Sequence, residues 1–215
     1  SSSTEKIGAY RMFNNKKIKH KDLAKGVFES CKKNQGVNHL LCIQDTTEIN
    51  FHYNINRIGK ENIGSVSSKN AGIFCHPMLI VDPILKMPIG LSSIELWNRT
   101  WKRKSKKERL YKSQHIKEKE SYRWIKSALN TKELLTNTPI LTVVGDRESD
   151  IYEEFVLVPD SQTHLLVRSN VNRNLFDSDI KLHETLAASQ EEGTYTIEIK
   201  GNRKRKTRTA KMSLR

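Results

Sequence analysis

The sequence predicts an α/β protein built on a mixed sheet with flanking helices. Two stretches carry this prediction: an apolar run at 40–43 leads into Asp45, and another at 140–144 leads into a glycine and Asp146. Buried parallel strands have this near-continuous apolar character, and open α/β sheets keep their sites at the carboxyl ends of such strands. The third observation is an alternation of strand-like and helix-like segments along 215 residues, enough for one sizeable core.

The first 36 residues predict helices. A partial apolar stripe in SSSTEKIGAYRMF and a clearer one over 21–33 have helical spacing, and Gly36 is typical of a helix end. Because the chain opens on Ser1 without an initiator methionine, we expect the first helix to be cut from something longer.

Three strands are predicted next. The first ends at Asp45, after which the asparagines, glycines and serines of 53–70 predict a loop. Two further strands at 73–81 and 88–96 flank the turn sequence DPILKMP, and they predict an antiparallel pair.

The second half alternates helices and strands. In order, the predicted elements are a helix over 115–135, a strand ending at Asp146, a helix over 149–156, a strand over 163–168 and a helix over 181–188. TYTIEIK then alternates as a strand does, and the basic sequence GNRKRKTR at 201–208 predicts a turn back into a partner strand over 209–214.

The order three strands, helix, strand, helix, strand, helix is that of a ribonuclease-H-like core. In that layout the first and fourth strands are neighbours, so Asp45 and Asp146 would lie close enough to share a metal ion. Taken singly, each aspartate is better explained as a turn or cap residue, because aspartate is a common cap. The pair, in a chain of net charge +14, favours a two-metal site that acts on a polyanion.

The charge itself indicates the partner. Lysine and arginine total 38 against 24 acidic residues, and basic tracts stand at 102–107 and 203–208. Either tract alone is also consistent with a solvated face. An anionic membrane is a weaker choice than nucleic acid, because no basic amphipathic helix with an aromatic face stands out, and no apolar run approaches the roughly 20 residues of a bilayer span.

Cysteine and histidine usage argues against a zinc site. The three cysteines have no CxxC spacing, and the seven histidines show no zinc-ligand pattern. We expect reduced packing thiols in a cytosolic protein. His76 is interpreted as a packing or DNA-proximal residue.

Several segments together resemble the DDE transposases of the insertion-sequence-four family. They are QDTTEINF, GDRESDIYEEF, the segment LLVRSN around Arg168, AYRMFNN, EKESYRW and RKRKTRTAKMSLR, which together span nearly the whole chain. Two aspartate motifs in this order, with Arg168 placed 22 positions after Asp146, form the specific part of the match.

The resemblance implies a ribonuclease-H-like fold that binds two divalent ions, Mg²⁺ or Mn²⁺, through an Asp, Asp, Glu triad. Asp45 matches the first acid and Asp146 the second. Arg168 and Arg173 match positions at which the family contacts transposon-end DNA. The implied partners are double-stranded DNA, as transposon ends and target, and a second copy of the protein in a synapsed homodimer; the implied place is the bacterial cytoplasm, in association with the nucleoid.

The resemblance also implies a domain organisation. Residues 1–36 match the remnant of an N-terminal helical DNA-binding region, 37–190 the first part of the catalytic core, and 191–215 the start of an inserted β-domain. Within the last segment we expect Lys204, Arg205 and Lys206 to bind DNA.

The family's third acid lies in a helix with the spacing Tyr, two residues, Arg, three residues, Glu, six residues, Lys. That spacing does not occur in residues 1–215, so we expect the third acid to lie beyond Arg215 and the chain to be a fragment. The expected activity is cut-and-paste transposition by metal-dependent strand cleavage and strand transfer. The alternative is an inactive remnant that only binds DNA or dimerises; a junction resolvase is less favoured, because it would not account for the basic β-segment after Ala188.

Residues beside the two aspartates remain open. Thr46 and Thr47 either form hydrogen bonds near the metal site or are simply β-branched strand residues. Glu148 and Asp150 are either outer groups of the site or acids that a first helical turn favours.

Overall fold

A computed structural model describes residues 2–33, 38–59, 62–101, 113–176 and 178–215. Gly36 and the basic tract at 102–107, both singled out above, lie outside the described residues. The α-helices are α1 (Ser3–Phe13), α2 (His20–Lys33), α3 (Ile55–Ile58), α4 (Tyr122–Leu134), α5 (Tyr152–Leu157) and α6 (Leu182–Ala188). The strands are β1 (His39–Gln44), β2 (Thr47–Asn50), β3 (Gly72–Asp82), β4 (Met87–Trp97), β5 (Ile140–Gly145), β6 (Thr163–Val167), β7 (Gly193–Ile199) and β8 (Arg208–Leu214).

The chain divides into two compact units, Ser1–Arg168 and Ser169–Arg215. The first unit is built on a mixed six-stranded sheet in which β4, β3, β1, β5 and β6 lie side by side. β1 pairs antiparallel with β3 and parallel with β5, and β5 pairs parallel with β6. The predicted α/β class, mixed sheet, flanking helices, antiparallel 73–96 pair and adjacency of the first and fourth strands are all confirmed.

The first predicted strand ends at Gln44, next to the predicted end at Asp45, and β2 is a further short strand that the sequence did not predict. β1 pairs with residues 78–81 of β3, and β2 pairs with residues 72–75 of the same edge. Asp45 and Thr46 lie between β1 and β2. Asp45 therefore lies where the ladder on that side of β1 stops.

One face of the sheet carries the core. Alternate residues of β1, including Leu40, Cys42 and Gln44, are buried there beneath α4, whose Trp124 and Ile125 are fully buried. The other buried apolar members of this cluster are Cys31, Met78, Ile80, Ile116, Ala128, Leu135, Leu141, Val143 and Val158. The cysteines are free thiols, and Cys31 and Cys42 belong to this core, as a packing role requires.

The opposite face is less covered. Ile43 on β1, Leu79 on β3 and Leu166 on β6 are exposed large apolar residues, with Leu166 at 61%. Apolar exposure on the parallel strands is what an uncovered sheet face predicts.

Two predicted helices begin later than the sequence suggested. α4 begins at Tyr122 rather than at 115, because a short 3₁₀ turn at Ile116–Glu118 ends in extended backbone at Lys119. α5 begins at Tyr152 rather than at 149, because Arg147–Ser149 form another 3₁₀ turn. In both cases the polar run before the helix satisfies its own backbone groups locally.

The second unit contains α6 and a hairpin. β7 and β8 pair antiparallel from Gly193 opposite Leu214 to Ile199 opposite Arg208, as the sequence predicted. The predicted domain boundaries after 36 and after 190 stay predictions.

Candidate metal and nucleic-acid site

Three predicted site residues lie in one row at the carboxyl edge of the parallel strands. Ile43 of β1 is opposite Val144 of β5, and two residues further along each strand come Asp45 and Asp146. Gly145 of β5 is opposite Val167 of β6, and the next residues are Asp146 and Arg168. The register therefore aligns the backbone positions of Asp45, Asp146 and Arg168 at the ends of three neighbouring strands.

Each aspartate uses one oxygen to fix its own loop. Asp45 Oδ1 accepts a hydrogen bond from the Thr46 backbone N–H at 2.6 Å, and Asp146 Oδ1 accepts one from the Glu148 backbone N–H at 2.8 Å. Both residues are exposed. Such bonds are what the turn or cap interpretation of each aspartate predicts. Among the described residues, Oδ2 of each carboxylate has no hydrogen bond.

The donor set fits a hard divalent cation. Mg²⁺ prefers oxygen ligands and is commonly held by one or two carboxylates together with water and substrate phosphate. Asp45 and Asp146 supply such oxygens on neighbouring strands. Across the described ranges no cluster of three or more histidine, cysteine or acidic side chains is placed to hold a metal ion.

A buried polar network lies behind the two aspartates. It consists of Arg123, Thr46, His76, Gln44, Glu154 and Ser149. Thr46 and Gln44 flank Asp45, while Ser149 is the third residue after Asp146.

From Arg123 to Glu154, each residue of the polar network donates a hydrogen bond to the next. Gln44 Nε2 donates to Glu154 Oε1 at 3.0 Å, so its carbonyl Oε1 accepts from His76 Nε2 at 3.2 Å. A neutral imidazole that donates from Nε2 accepts at Nδ1, here from Thr46 Oγ1 at 2.9 Å. Thr46 Oγ1 in turn accepts from Arg123 Nε at 2.9 Å. Every bond from Arg123 to Glu154 is thus satisfied by one consistent set of protons.

Burial shifts the pKa values of two members of the network in opposite directions. Burial, helped by the charge of Arg123, lowers the pKa of His76 to about 4. Burial raises the pKa of Glu154 to about 7, against the hydrogen bonds from Ser149 and Gln44, which lower it. His76 is therefore neutral at pH 7, which is the state that the hydrogen-bond directions require.

The hydrogen bonds of Thr46 and Glu148 bear on the interpretations left open beside the aspartates, while those of Thr47 and Asp150 stay predictions. Thr46 does form hydrogen bonds next to the candidate site. His76 is a packing residue, with its ring edge-on to Trp124 at 4.6 Å between centroids. Glu148 pairs with Arg123 and so has a role beyond that of an acid in a first turn.

Glu154 was not expected in this network from the sequence. It stands in the acidic run YEEF, where one glutamate is indistinguishable from the next. Its spacing of four from the buried Val158, the residue after α5, is the one available signal, because residues four apart in a helical turn share a face.

The remaining predicted DNA-binding residues belong to the second unit. Lys204, Arg205 and Lys206 are exposed in the turn between β7 and β8, where Asn202 Oδ1 accepts the backbone N–H groups of Lys204 and Arg205. Arg173 is half-buried, and its carbonyl accepts the N–H of Leu182. The turn holds its cations outward on a fixed backbone.

No protein-family model matches this chain. Among the described residues, no helix has both the length and the apolar character to cross a bilayer.

Proposed function

We propose that the protein is a DNA transposase of the DDE type, related to the insertion-sequence-four family, acting by metal-dependent strand cleavage and strand transfer. The observation that carries the proposal is the row formed by Asp45, Asp146 and Arg168 at the carboxyl ends of three parallel strands. The strand order β4, β3, β1, β5, β6 supports a ribonuclease-H-like core for the first unit.

In this proposal Asp45 and Asp146 hold Mg²⁺ or Mn²⁺ through their carboxylate oxygens. Bound divalent ions supply activation of the attacking hydroxyl and neutralise charge on the leaving oxygen. Without them, two neighbouring carboxylates repel each other, so the site is metal-dependent.

The cations of the chain bind the DNA backbone. Arg168 follows β6 beside Asp146 in the row, and in this proposal its charge binds a phosphate of the DNA strand under attack. Arg173 and the basic turn 204–206 provide further phosphate contacts. Such contacts fix position and register and carry no sequence information of their own.

A second candidate is a DNA-binding or dimerising remnant without catalysis. It is favoured by the two-acid site, because no third acidic ligand joins Asp45 and Asp146 in the described residues. Of the glutamates within the chain, Glu154 is fully buried in the polar network, and Glu184 of the second unit accepts from Asn172. Glu154 is thus not exposed as Asp45 and Asp146 are, and both carboxylate oxygens of Glu184 accept from Asn172 Nδ2.

Mn²⁺ titration by calorimetry tests the metal site directly. Asp45→Asn and Asp146→Asn are each expected to abolish Mn²⁺ binding while leaving DNA affinity nearly unchanged, since the affinity for DNA comes from the cations. Glu29→Gln on the exposed surface of α2 removes the same charge elsewhere and is the matched control. Mn²⁺ binding that persists in both aspartate variants excludes this site.

DNA cleavage separates the two candidates. For the active transposase, a longer version that carries the Tyr-Arg-Glu-Lys helix cuts transposon-end DNA with Mg²⁺, and Asp45→Ala or Asp146→Ala abolishes cutting. For the remnant, DNA binding is retained with no cutting in either version.

A further inference from the structure

Glu154 is a fully buried carboxylate that joins the two aspartate loops. Its Oε1 accepts from Gln44 Nε2 at 3.0 Å, and its Oε2 accepts from Ser149 Oγ at 2.7 Å. Gln44 immediately precedes Asp45, and Ser149 closes the 3₁₀ turn that follows Asp146. One side chain of α5 therefore spans the backbone segments that carry both candidate ligands.

Packing alone does not account for an acid at this position. Burying a carboxyl group is costly, and apolar residues of similar volume usually give equal or greater stability. The fixed geometry of two acceptor oxygens is what a carboxylate adds here, since it accepts from an amide and a hydroxyl at once. A role in orienting Gln44 and Ser149 accounts for an acid at this position.

The loop after Asp146 is closely fitted to this contact. Any Cβ at Gly145 would collide with the Ser149 side chain, so the glycine before Asp146 permits Ser149 to fold back under the strand end. Ser149 is fully buried there. The carboxyl end of β5 and the Glu154 contact are thus one packed unit.

We propose that Glu154 is a positioning residue that sets the spacing of the Asp45 and Asp146 carboxylates through Gln44 and Ser149. The inference rests on the proposed function, because the spacing matters only where the aspartates share a cation. Residues that orient metal ligands from behind commonly change metal affinity by about 10- to 100-fold when mutated.

Four variants test the role, with Mn²⁺ affinity measured by calorimetry and folding by thermal melting. Glu154→Ala is expected to weaken Mn²⁺ binding about 10-fold or more. Glu154→Gln is expected to keep wild-type affinity, because its Oε1 still accepts from Gln44 and its Nε2 donates to Ser149 Oγ. Ser149→Ala cuts one link and is expected to weaken binding by a smaller factor. Glu153→Ala, next to it on α5, is the control and is expected to have no effect.

The outcomes distinguish this inference from the proposed function. Wild-type affinity in Glu154→Ala, with binding lost in Asp45→Asn, overturns the positioning role and leaves the metal site intact. Loss in Glu154→Gln equal to that in Glu154→Ala also overturns it, because charge and not orientation would then be required. If Glu154→Ala fails to fold, the other two variants decide. Wild-type affinity in Ser149→Ala, or lost affinity in Glu154→Gln, then overturns the positioning role. Absence of Mn²⁺ binding by the wild-type chain overturns both.

Discussion

Arg123 and Glu148 form an ion pair, with 2.9 Å between Nη2 and Oε2, that fastens α4 to the turn after Asp146. The same guanidinium donates from Nε to Thr46, the residue after Asp45. Arg123 is largely buried, and its ring contacts include Trp97 and Trp124 at 5.2 and 5.4 Å from the guanidinium carbon. One arginine therefore ties together the outer sides of both aspartate loops.

We expect Arg123→Met to lower the free energy of unfolding by about 2 kcal/mol, because hydrogen bonds that involve a charged, mostly buried donor are lost. Methionine keeps most of the aliphatic volume, so the cavity term stays small. Urea denaturation monitored by circular dichroism measures the change.

Lys126→Met on the same helix is the matched control. Lys126 pairs with Glu95 at 2.8 Å, but its side chain is 48% exposed, so the expected cost is below about 1 kcal/mol. Equal costs for the two variants would show that the Arg123 contacts contribute no more than a surface ion pair.

The second prediction concerns pH. The pKa of His76 falls from 6.5 to about 4 on folding, so its contribution to stability is present above pH 6.5 and is lost as the pH falls through 4. The pKa of Glu154 rises from 4.5 to about 7, so its contribution is present below pH 4.5 and is lost as the pH rises through 7. In the wild type the two effects oppose each other between pH 4.5 and 6.5.

Single variants should separate these effects. Relative to the wild type, Glu154→Gln should gain stability as the pH rises from 4.5 to 7, and His76→Gln should gain relative stability as the pH falls from 6.5 to 4. Each change is at most roughly 3 kcal/mol. Urea unfolding at several pH values checks it; parallel curves for all three proteins would contradict the pKa shifts.

The third prediction concerns the basic turn. The slope of log K against log salt is about −0.9 for each phosphate neutralised on duplex DNA. Changing Lys204, Arg205 and Lys206 to alanine should flatten the slope by up to about three units. The charge-conserving triple variant K204R/R205K/K206R should retain it. Fluorescence anisotropy at several salt concentrations measures both, and an unchanged slope in the alanine variant removes the turn from the DNA-binding surface.

The fourth prediction concerns the chain of 215 residues by itself. With two carboxylates in the candidate site, Mn²⁺ calorimetry should show at most one weak site, and Mg²⁺ should support little or no DNA cleavage. Gel analysis of a labelled transposon end tests the second point. Efficient cleavage would mean that an acid within the chain completes the triad, in which case Glu154 would have to leave its buried contacts.

The strands and their arrangement were predictable from the sequence because strong apolar runs specify them. The runs before Asp45 and Asp146 are apolar enough to indicate strands, although only alternate residues of each are buried, and the turn sequence DPILKMP indicates a hairpin between the strands that flank it. Helix starts were less predictable. The polar residues before Tyr122 and Tyr152 have helical propensity, but local 3₁₀ turns satisfy their backbone groups instead.

The exposed row of the candidate site was also predictable, because Asp45, Asp146 and Arg168 each come at the end of a recognisable strand. The polar network behind them was not. Gln44 and Glu154 are 110 positions apart, and neither belongs to a pattern that distinguishes a buried polar residue from a solvated one. Only the folded register brings their side chains within hydrogen-bonding distance.

The position of β1 and β5 inside the sheet has a consequence for local opening. Each has a strand on both sides, whereas β4 and β6 lie at the edges. Amide hydrogens in the interior strands should exchange with solvent only through unfolding of the whole first unit, while those at the edges exchange through smaller fluctuations. Both candidate carboxylates therefore extend from the backbone that opens last, and their separation should persist as long as the sheet itself does.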